Sequence, residues 1–229
     1  MEIYTLTDKG DMRRDNQDNY WSAVLDVNGE EAGVVCLCDG MGGLDNGELA
    51  SRAVIQAIRK YILSDFDFGG IIGILTKINS SIKKYSENTP NKRMGTTCTL
   101  IVCYRGRYKI CHIGDSRAYL IRNGNASLLT SDHSVLNVYG ITKSENPDMW
   151  EKYKSKLTRC IGVKDEIQPD VYQGVYQEGD YFFLCSDGCW HYLEDYGFRM
   201  DTLVDLSSLF KAIRVYGETD NITAGILNI

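Results

Sequence analysis

Carboxylates stand at the ends of predicted buried strands along this chain. Asp39, Asp115 and Asp187 each follow an apolar, strand-like run, and Asp39 and Asp187 are followed by glycine. Asp220 precedes the last apolar run, and Asp18 closes a polar segment near the start. Carboxylates at strand ends can converge on one point, where they repel one another unless a cation lies between them. An all-oxygen site of this kind suits Mg²⁺ or Mn²⁺.

Taken singly, each of these aspartates also fits an ordinary turn, because Asp and Gly are common where a strand ends. The turn interpretation weakens once the neighbouring residues are included, since they form short motifs that follow one another along the chain. These motifs are Cys38-Asp39-Gly40-Met41-Gly42-Gly43, Met94-Gly95-Thr96-Thr97, Gly114-Asp115-Ser116-Arg117, Ser186-Asp187-Gly188 and Asp220-Asn221. One shared site explains the set better than separate turns do.

Together with Arg13 and Asp18, this ordered set resembles the metal-dependent PPM/PP2C family of serine/threonine phosphatases, in its bacterial-type form. The resemblance extends over nearly the whole chain, from about residue 5 to residue 227. It implies an enzyme that hydrolyses phosphoserine and phosphothreonine in proteins by direct attack of metal-activated water, without a phospho-enzyme. Two cations about 3.5–4 Å apart would activate the water and shield the phosphoryl oxygens.

The resemblance also implies which residues hold the two Mg²⁺ or Mn²⁺ ions. Asp39 would bridge the ions, and the carbonyl of Gly40 would bind one of them. Asp187 and Asp220 would hold the other ion. Asp18 would belong to the same metal site and orient metal-bound water.

Two groups beside these ligands have more than one interpretation. Gly40, Gly42 and Gly43 permit the close backbone approach and the positive φ that a carbonyl ligand can require, or they form a flexible loop before a helix. Asn221 either positions the carboxylate of Asp220 or caps the turn.

Asp115 is the residue through which a third ion would bind. The resemblance to bacterial-type members implies that Asp115 and Asp187 share a third, weaker ion, which would be lost first as Mg²⁺ falls because it has few protein ligands. The residues alone leave a second interpretation open, a turn in which Arg117 pairs with a carboxylate.

Arg13 or Arg14 would bind the phosphoryl group, because a guanidinium fork fits two phosphoryl oxygens and stays charged. Arg13 stands three residues before Asn16 and five before Asp18, which matches the substrate arginine of the family. We therefore expect Arg13, with Asp18 and Asp39, to be catalytic. Arg14 is expected to be a solvated surface charge.

Two positions depart from the family pattern. Gln17 stands directly before Asp18, where many relatives carry Glu, so the metal site lacks one negative charge. Met41 stands where animal enzymes have a histidine thought to protonate the leaving group, and methionine cannot donate a proton. Water or the substrate would then supply that proton.

The composition indicates one globular domain, residues 1–229, without a signal peptide or membrane-spanning run. The net charge of −6 argues against a nucleic-acid partner. We expect a cytoplasmic monomer that acts on phosphoprotein substrates of a partner serine/threonine kinase, away from membranes. The eight cysteines include no C-x-x-C pair and are interpreted as small buried hydrophobes, with no covalent nucleophile among them.

The elements that must position these residues alternate between strand and helix patterns. Strand-like runs cover 20–26, 33–38, 96–104, 107–113, 117–122, 181–186 and 223–229. Apolar residues at helical spacing predict helices over 50–62, 71–85 and 203–213. Asn123-Gly124 predicts a hairpin. The resemblance implies an α+β fold, a β-sandwich of two mostly antiparallel sheets flanked by helices.

The polar, charge-dense segment from about 133 to 165 has little periodicity. In the family the corresponding segment is a flap beside the active site, although an ordinary surface excursion has the same composition. His133 begins this segment, and His112 lies in a strand run where a structural role is expected.

Two other functions compete with a phosphatase. A pseudophosphatase that binds phosphoproteins without turnover has Gln17 as its only support, and the retained aspartates and Arg13 weigh against it. A metal-dependent nuclease with a similar carboxylate cluster is disfavoured by the acidic charge and the absence of basic tracts.

Overall fold

The computed structural model of the protein describes residues 1–41, 46–89, 94–197 and 205–229. Its strands are β1 (Glu2–Asp8), β2 (Asn19–Val27), β3 (Glu30–Cys38), β4 (Cys98–Tyr104), β5 (Arg107–Ile113), β6 (Arg117–Arg122), β7 (Asn125–Leu128), β8 (Asp170–Val175), β9 (Tyr181–Cys185) and β10 (Ile222–Asn228). Its helices are α1 (Gly47–Asp65), α2 (Ile71–Asn88), α3 (Val135–Tyr139), α4 (Pro147–Tyr153), α5 (Asp187–Tyr196) and α6 (Leu206–Tyr216).

The strands form two five-stranded antiparallel sheets. The first sheet has the order β1-β10-β9-β6-β7, and the second has the order β2-β3-β4-β5-β8. In the second sheet Asn19 pairs with Cys38, and in the first Cys185 pairs with Ala224. Each of these pairs brings the end of one strand beside the start of its neighbour, so the residues that follow and precede them meet at one edge.

Three apolar layers hold the sheets and helices together. Alternate residues of the strands meet between the two sheets, where Phe182 and Leu184 of one sheet share a cluster with Val35 and Ile101 of the other. The opposite face of the second sheet packs against α1 and α2, and the opposite face of the first sheet packs against α5 and α6. The predicted α+β fold, a sandwich of antiparallel sheets flanked by helices, is confirmed.

Seven strands and the helices α1, α2 and α6 match the predicted runs within a few residues. Residue 203, which the helical pattern includes, lies outside the described residues. The strands that the periodicity missed, β1, β7 and β8, all lie at sheet edges. Because an edge strand is half solvated, its residues do not form the apolar run that marks a buried strand.

The predicted hairpin is present between β6 and β7. Asn123 and Gly124 both have positive φ, 53° and 77°, as a two-residue hairpin turn of this kind requires.

Between β7 and β8 lies the segment 133–165, which contains the short helices α3 and α4. Among the described residues, no helix combines the length and the apolar character that crossing a bilayer would demand.

Candidate metal centre

Strand ends of both sheets bring the candidate residues to one edge of the sandwich. Asp39 follows β3 and Asp18 precedes β2, which are neighbours in the second sheet. In the first sheet, Asp187 is the first residue of α5 directly beyond β9, and Asp220 lies just before β10. Asp115 lies in the turn between β5 and β6. The structure therefore brings together the five aspartates that the sequence singled out.

The pKa shifts of these aspartates indicate that their carboxylates lie close to one another. Burial, together with the neighbouring carboxylates, raises the pKa of Asp18 to about 7 and that of Asp187 to about 6. The same two causes raise the pKa of Asp39 and of Asp115 well above the usual range of an aspartate. Buried carboxylates that disfavour one another's charge are the environment that a cation would stabilise.

Two carboxylate oxygens at this edge have no hydrogen-bond partner among the described residues. Oδ1 of Asp18 and Oδ1 of Asp187 are buried and accept no hydrogen bond, whereas Oδ2 of Asp18 accepts one from Oγ1 of Thr223 at 2.6 Å. A buried acceptor without a donor is costly, and a hard divalent cation satisfies such an oxygen. The donor set of this edge therefore fits Mg²⁺ or Mn²⁺.

The backbone of Asp39 is fixed by the Met94-Gly95-Thr96-Thr97 motif, whose role sequence reasoning did not assign. The amide of Asp39 donates to Oγ1 of Thr97 at 2.9 Å. The carbonyl of Asp39 accepts from the amide of Thr97 and from Oγ1 of Thr96, both at 2.8 Å. These contacts hold the start of the loop after β3 against β4 and leave the Asp39 carboxylate available for the site.

Close backbone approach explains glycine at position 40. The amide of Gly40 donates to the carbonyl of Gln17 at 3.2 Å, and an added Cβ would lie 2.5 Å from that carbonyl oxygen. Positive φ is not the reason for glycine at this position, because the φ of Gly40 is not positive. Gly42 and Gly43 lie outside the described residues.

Arg13 lies at the acidic edge and Arg14 does not. Nη2 of Arg13 donates to Oδ2 of Asp220 at 2.6 Å, and 38 % of the Arg13 side chain is exposed. Although burial disfavours the charge of Arg13, its hydrogen bond to Asp220 raises the pKa of the guanidinium. The side chain of Arg14 is 96 % exposed.

Asn221 positions the carboxylate of Asp220 through its backbone amide, which donates to Oδ1 of Asp220 at 2.8 Å. The side chain of Asn221 makes other contacts. Its Oδ1 accepts from the amide of Gln17 at 2.9 Å, and its Nδ2 donates to the carbonyls of Lys9 at 2.8 Å and Asp15 at 3.1 Å. The side chain therefore ties the loop that carries Arg13 and Asp18 to the start of β10.

Arg117 pairs with carboxylates other than that of Asp115. It donates from Nε and Nη2 to Asp132 at 2.7–3.1 Å and from Nη1 to Glu194 at 2.8 Å, and its guanidinium lies 3.6 Å from the centre of the Trp190 ring. Arg117 therefore pairs with carboxylates, as the turn interpretation expected, and the buried side chain of Asp115 takes no part in these ion pairs.

Cys111 and Arg117 have the Cys-x5-Arg spacing of cysteine-dependent phosphatases, which the sequence analysis overlooked. Cys111 is fully buried within β5, and this burial raises the pKa of its thiol. A protonated, inaccessible thiol is not a nucleophile. The spacing therefore does not supply a covalent mechanism.

The cysteines are free, as expected from their spacing, and Cys160 is the only one that is not buried. Within the described ranges, the single group of three ligand-type side chains with all ligand atoms within 4.8 Å of one another is Cys36, Cys38 and Cys98. These thiols belong to the apolar cluster beneath α1 and α2. No three of the described aspartates have ligand atoms that all lie within this distance of one another.

His133 is a buried positioning residue whose role the sequence does not indicate. Its Nδ1 accepts from the amide of Gly114 at 3.1 Å, its amide donates to the carbonyl of Gly114 at 2.7 Å, and its Nε2 lies 3.0 Å from Oδ2 of Asp170. His133 thereby joins the turn that carries Asp115 to the start of the segment 133–165. No spacing in the sequence signals this role.

Comparisons with known proteins all identify protein phosphatases. The family profile of protein phosphatase 2C matches residues 11–220. The chain is 31 % identical to protein phosphatase PhpP of Streptococcus pneumoniae, covering 100 % of this chain and 98 % of PhpP. It is 30 % identical to the serine/threonine phosphatase Stp of Listeria welshimeri, covering 95 % and 91 %.

Solved structures agree with the sequence relatives. The phosphatase Stp1 of Staphylococcus aureus superposes with a TM-score of 0.86 at 25 % identity, covering 100 % of this chain and 94 % of Stp1. The catalytic domain of the phosphatase PstP, solved with two manganese ions, superposes with a TM-score of 0.77 at 26 % identity, covering 98 % and 96 %.

Proposed function

The chain belongs to the protein phosphatase 2C family and is a bacterial-type serine/threonine protein phosphatase, and on that premise we propose that the acidic edge of its sandwich is the active centre. The observation that carries this proposal is the convergence of five mutually repelling aspartates, two of which keep a buried oxygen without a partner. The all-oxygen donor set supports metal-dependent hydrolysis.

Within this centre, Asp39 would bridge the two ions, the carbonyl of Gly40 would bind one of them, and Asp187 and Asp220 would hold the other. Bound Mg²⁺ or Mn²⁺ supplies an acidified water for attack and shields the charge of the phosphoryl oxygens. A relative solved with two manganese ions supports the choice of metal. Asp18 would belong to the same metal site and orient metal-bound water, and its buried Oδ1 without a hydrogen-bond partner supports this role.

Asp115 and Asp187 hold a third, weaker ion. Its support is the burial of Asp115 beside Asp187 and the engagement of Arg117 by other carboxylates.

Arg13 binds the phosphoryl group. Its guanidinium already lies beside the carboxylate of Asp220, and a bound phosphate would take over the donors that now contact that carboxylate. Because Met41 donates no side-chain proton, the leaving alkoxide takes its proton from water or from the substrate.

The substrates are phosphoproteins produced by a partner serine/threonine kinase, and the enzyme acts in signalling as a cytoplasmic monomer with residues 1–229 as one domain. The names of its relatives support the substrate class. The segment 133–165 is a flap. Its support is a cleft of about 600 Å³ between this segment and α5, lined by Asp115, Asn137, Trp150 and Trp190 among others.

The test is hydrolysis of p-nitrophenyl phosphate and of a phosphothreonine peptide with Mn²⁺ and with EDTA. We expect turnover only with the metal, and no turnover by Asp39→Asn, because the substitution removes the bridging charge. Asp15→Asn is the matched control, since Asp15 is an exposed carboxylate on the loop between β1 and β2, which carries Arg13 and Asp18. Near-parental turnover by Asp39→Asn would show that Asp39 does not bridge metal ions.

A further inference from the structure

A separate apolar cavity lies near the far end of α1 from the acidic edge. The first residue of α1, Gly47, packs against Gly40, whereas the cavity is lined by Ile62 and by Phe66 just beyond the last turn. At 1.5 Å per residue, the 19 residues of α1 separate the two sites by roughly 28 Å. The cavity has a volume of about 330 Å³, which is within the range of small-molecule sites.

The walls of this cavity are built by aromatic and aliphatic side chains that the fold holds in place. Phe66 ends α1 in the left-handed conformation, with φ of 41°, and its ring packs edge-on against Tyr104 at 5.3 Å. The next turn is fixed by Asp67, whose carboxylate accepts from the amides of Gly69 and Gly70. The cavity is therefore preformed rather than a gap between loose side chains.

Polar groups are scarce inside the cavity. The hydroxyl of Tyr104 donates to the carbonyl of Val27 at 3.1 Å, and the carboxylate of Asp67 is occupied by the two amides and by the hydroxyl of Tyr61. The remaining walls include Ile71, Phe68 and Val102. An occupant must therefore bury a part that makes no hydrogen bonds, which disfavours a nucleobase or a sugar.

Cations line the rim of the cavity on the β4–β5 hairpin. Arg105 is neutralised by Glu30 and lies over the ring of Tyr104. Arg107 and Lys109 are exposed, and within the described residues neither has an ion-pair partner within 4.0 Å. Nζ of Lys109 lies 5.5 Å from the centre of the Phe68 ring, at the edge of the apolar wall. The rim therefore carries positive charge that can attract an anion.

We propose that this cavity binds a small amphiphilic acid, whose alkyl or aryl body lies between Phe66, Phe68 and Tyr104 and whose carboxylate lies against Arg107 and Lys109. The apolar walls select the body, and Arg107 and Lys109 select the head group, with the carboxylate of Asp67 at the same cavity also attracting Lys109. The site does not depend on the metal centre.

The test is isothermal titration of the full-length protein with decanoate below its micelle concentration. We expect saturable binding, and binding at least about tenfold weaker to the double variant Arg107→Glu/Lys109→Glu, because contacts to the charged head group are lost. The matched control is Lys77→Glu/Lys211→Glu, which makes the same change of net charge away from the cavity and should bind as the parent does. Hydrolysis of p-nitrophenyl phosphate by each variant shows that it is folded.

Three outcomes would overturn the proposal. Decanoate could bind the parent and the Arg107→Glu/Lys109→Glu variant equally, which would place the ligand elsewhere. Decanol could bind as tightly as decanoate, which would show that the cations do not contribute to binding of the head group. The protein could bind anionic vesicles but not monomeric decanoate, which would make the hairpin a membrane-contact surface. None of these outcomes bears on the phosphatase assignment, because the titration does not require turnover.

Discussion

The hydrogen bond from Arg13 to Asp220 joins the proposed phosphate ligand to a proposed metal ligand at 2.6 Å. The guanidinium therefore neutralises part of the negative charge of the acidic edge in this structure, which is consistent with the proposed role of Arg13 in phosphate binding. Arg14, one residue further along, extends into solvent. The two neighbouring arginines thus provide an internal comparison for phosphate binding.

Arg13→Ala should raise the KM for a phosphopeptide by an amount equivalent to about 1.5–3 kcal/mol, because a charge-assisted contact is lost. Arg14→Ala should leave KM and kcat nearly unchanged. Steady-state kinetics of both variants at saturating Mn²⁺ checks this. Equal losses at the two positions would contradict the assignment of Arg13.

Gln17 lies next to the metal centre although it is uncharged. Its carbonyl accepts from the amide of Gly40 at 3.2 Å and from Oγ of Ser51 at 2.6 Å, while its side-chain Oε1 is buried without a partner. The position is therefore rigid, and a charge placed there would be felt by ions bound near Gly40.

Gln17→Glu should lower the Mn²⁺ concentration for half-maximal rate by roughly tenfold or less, about 1.4 kcal/mol, because the added carboxylate attracts the ion. The kcat at saturating metal should change little. Metal titrations of both proteins at one ionic strength decide the question. If both proteins reach half-maximal rate at the same Mn²⁺ concentration, residue 17 does not influence the metal. If the parent is inactive at every Mn²⁺ concentration and Gln17→Glu is active, a pseudophosphatase is favoured.

At the scale of elements, the first turn of α5 is packed directly against the start of β10. A Cβ on Gly188 would overlap the carbonyl oxygen of Asn221. This contact sets the distance between Asp187 on the helix and Asp220 on the strand. Because Gly188 meets a backbone carbonyl here, neither the start of α5 nor the start of β10 can move without displacing a candidate metal ligand.

Gly188→Ala should therefore destabilise the protein and weaken its response to Mn²⁺. Gly73→Ala is the matched control, because Gly73 is also helical, lies in α2 and has no atom near its missing Cβ. That substitution should stabilise the protein by about 0.5–1 kcal/mol through helix propensity. Thermal melts and Mn²⁺ titrations of both variants test this, and a neutral Gly188→Ala would show that α5 can shift away from β10.

At the scale of the whole molecule, the acidic edge is a source of instability when no cation is bound. Burial raises the pKa of Asp18 from 3.8 to about 7, so the folded chain keeps a proton that the unfolded chain releases between these values. Since the folded state then binds more protons than the unfolded state, the free energy of unfolding falls as the pH rises from about 4 to about 7. Above that range Asp18 has no further effect on it.

In EDTA, the melting temperature should fall as the pH rises from 5 to about 7.5, and Mn²⁺ should reverse the loss because it replaces the proton as the countercharge. Asp18→Asn should flatten this pH dependence in EDTA and weaken the protection by Mn²⁺. Differential scanning calorimetry across the pH range checks both effects. A metal-free protein that becomes more stable over this interval would contradict the raised pKa.

Much of the fold follows from local patterns. The buried strands and the long helices are visible as apolar periodicity, and the Asn123-Gly124 turn is visible because two consecutive residues with positive φ favour this pair. The edge strands β1, β7 and β8 are not visible, because their half-solvated residues form no clear apolar run, whereas β2 is also at an edge but contains the recognisable run 20–26. The helix α5 was missed because Asp187-Gly188 is also typical of a turn.

The sequence supplies the residue types of the proposed site, since carboxylates after buried strands, two of them followed by glycine, are chemical identities that no packing can change. Tertiary structure alone decided how these residues are held. The amide of Gln17 meets Asn221 across 204 positions and Asp18 meets Thr223 across 205, contacts that exist only after both sheets have formed. Local pattern cannot report such partners, because the pairing of distant strands creates them.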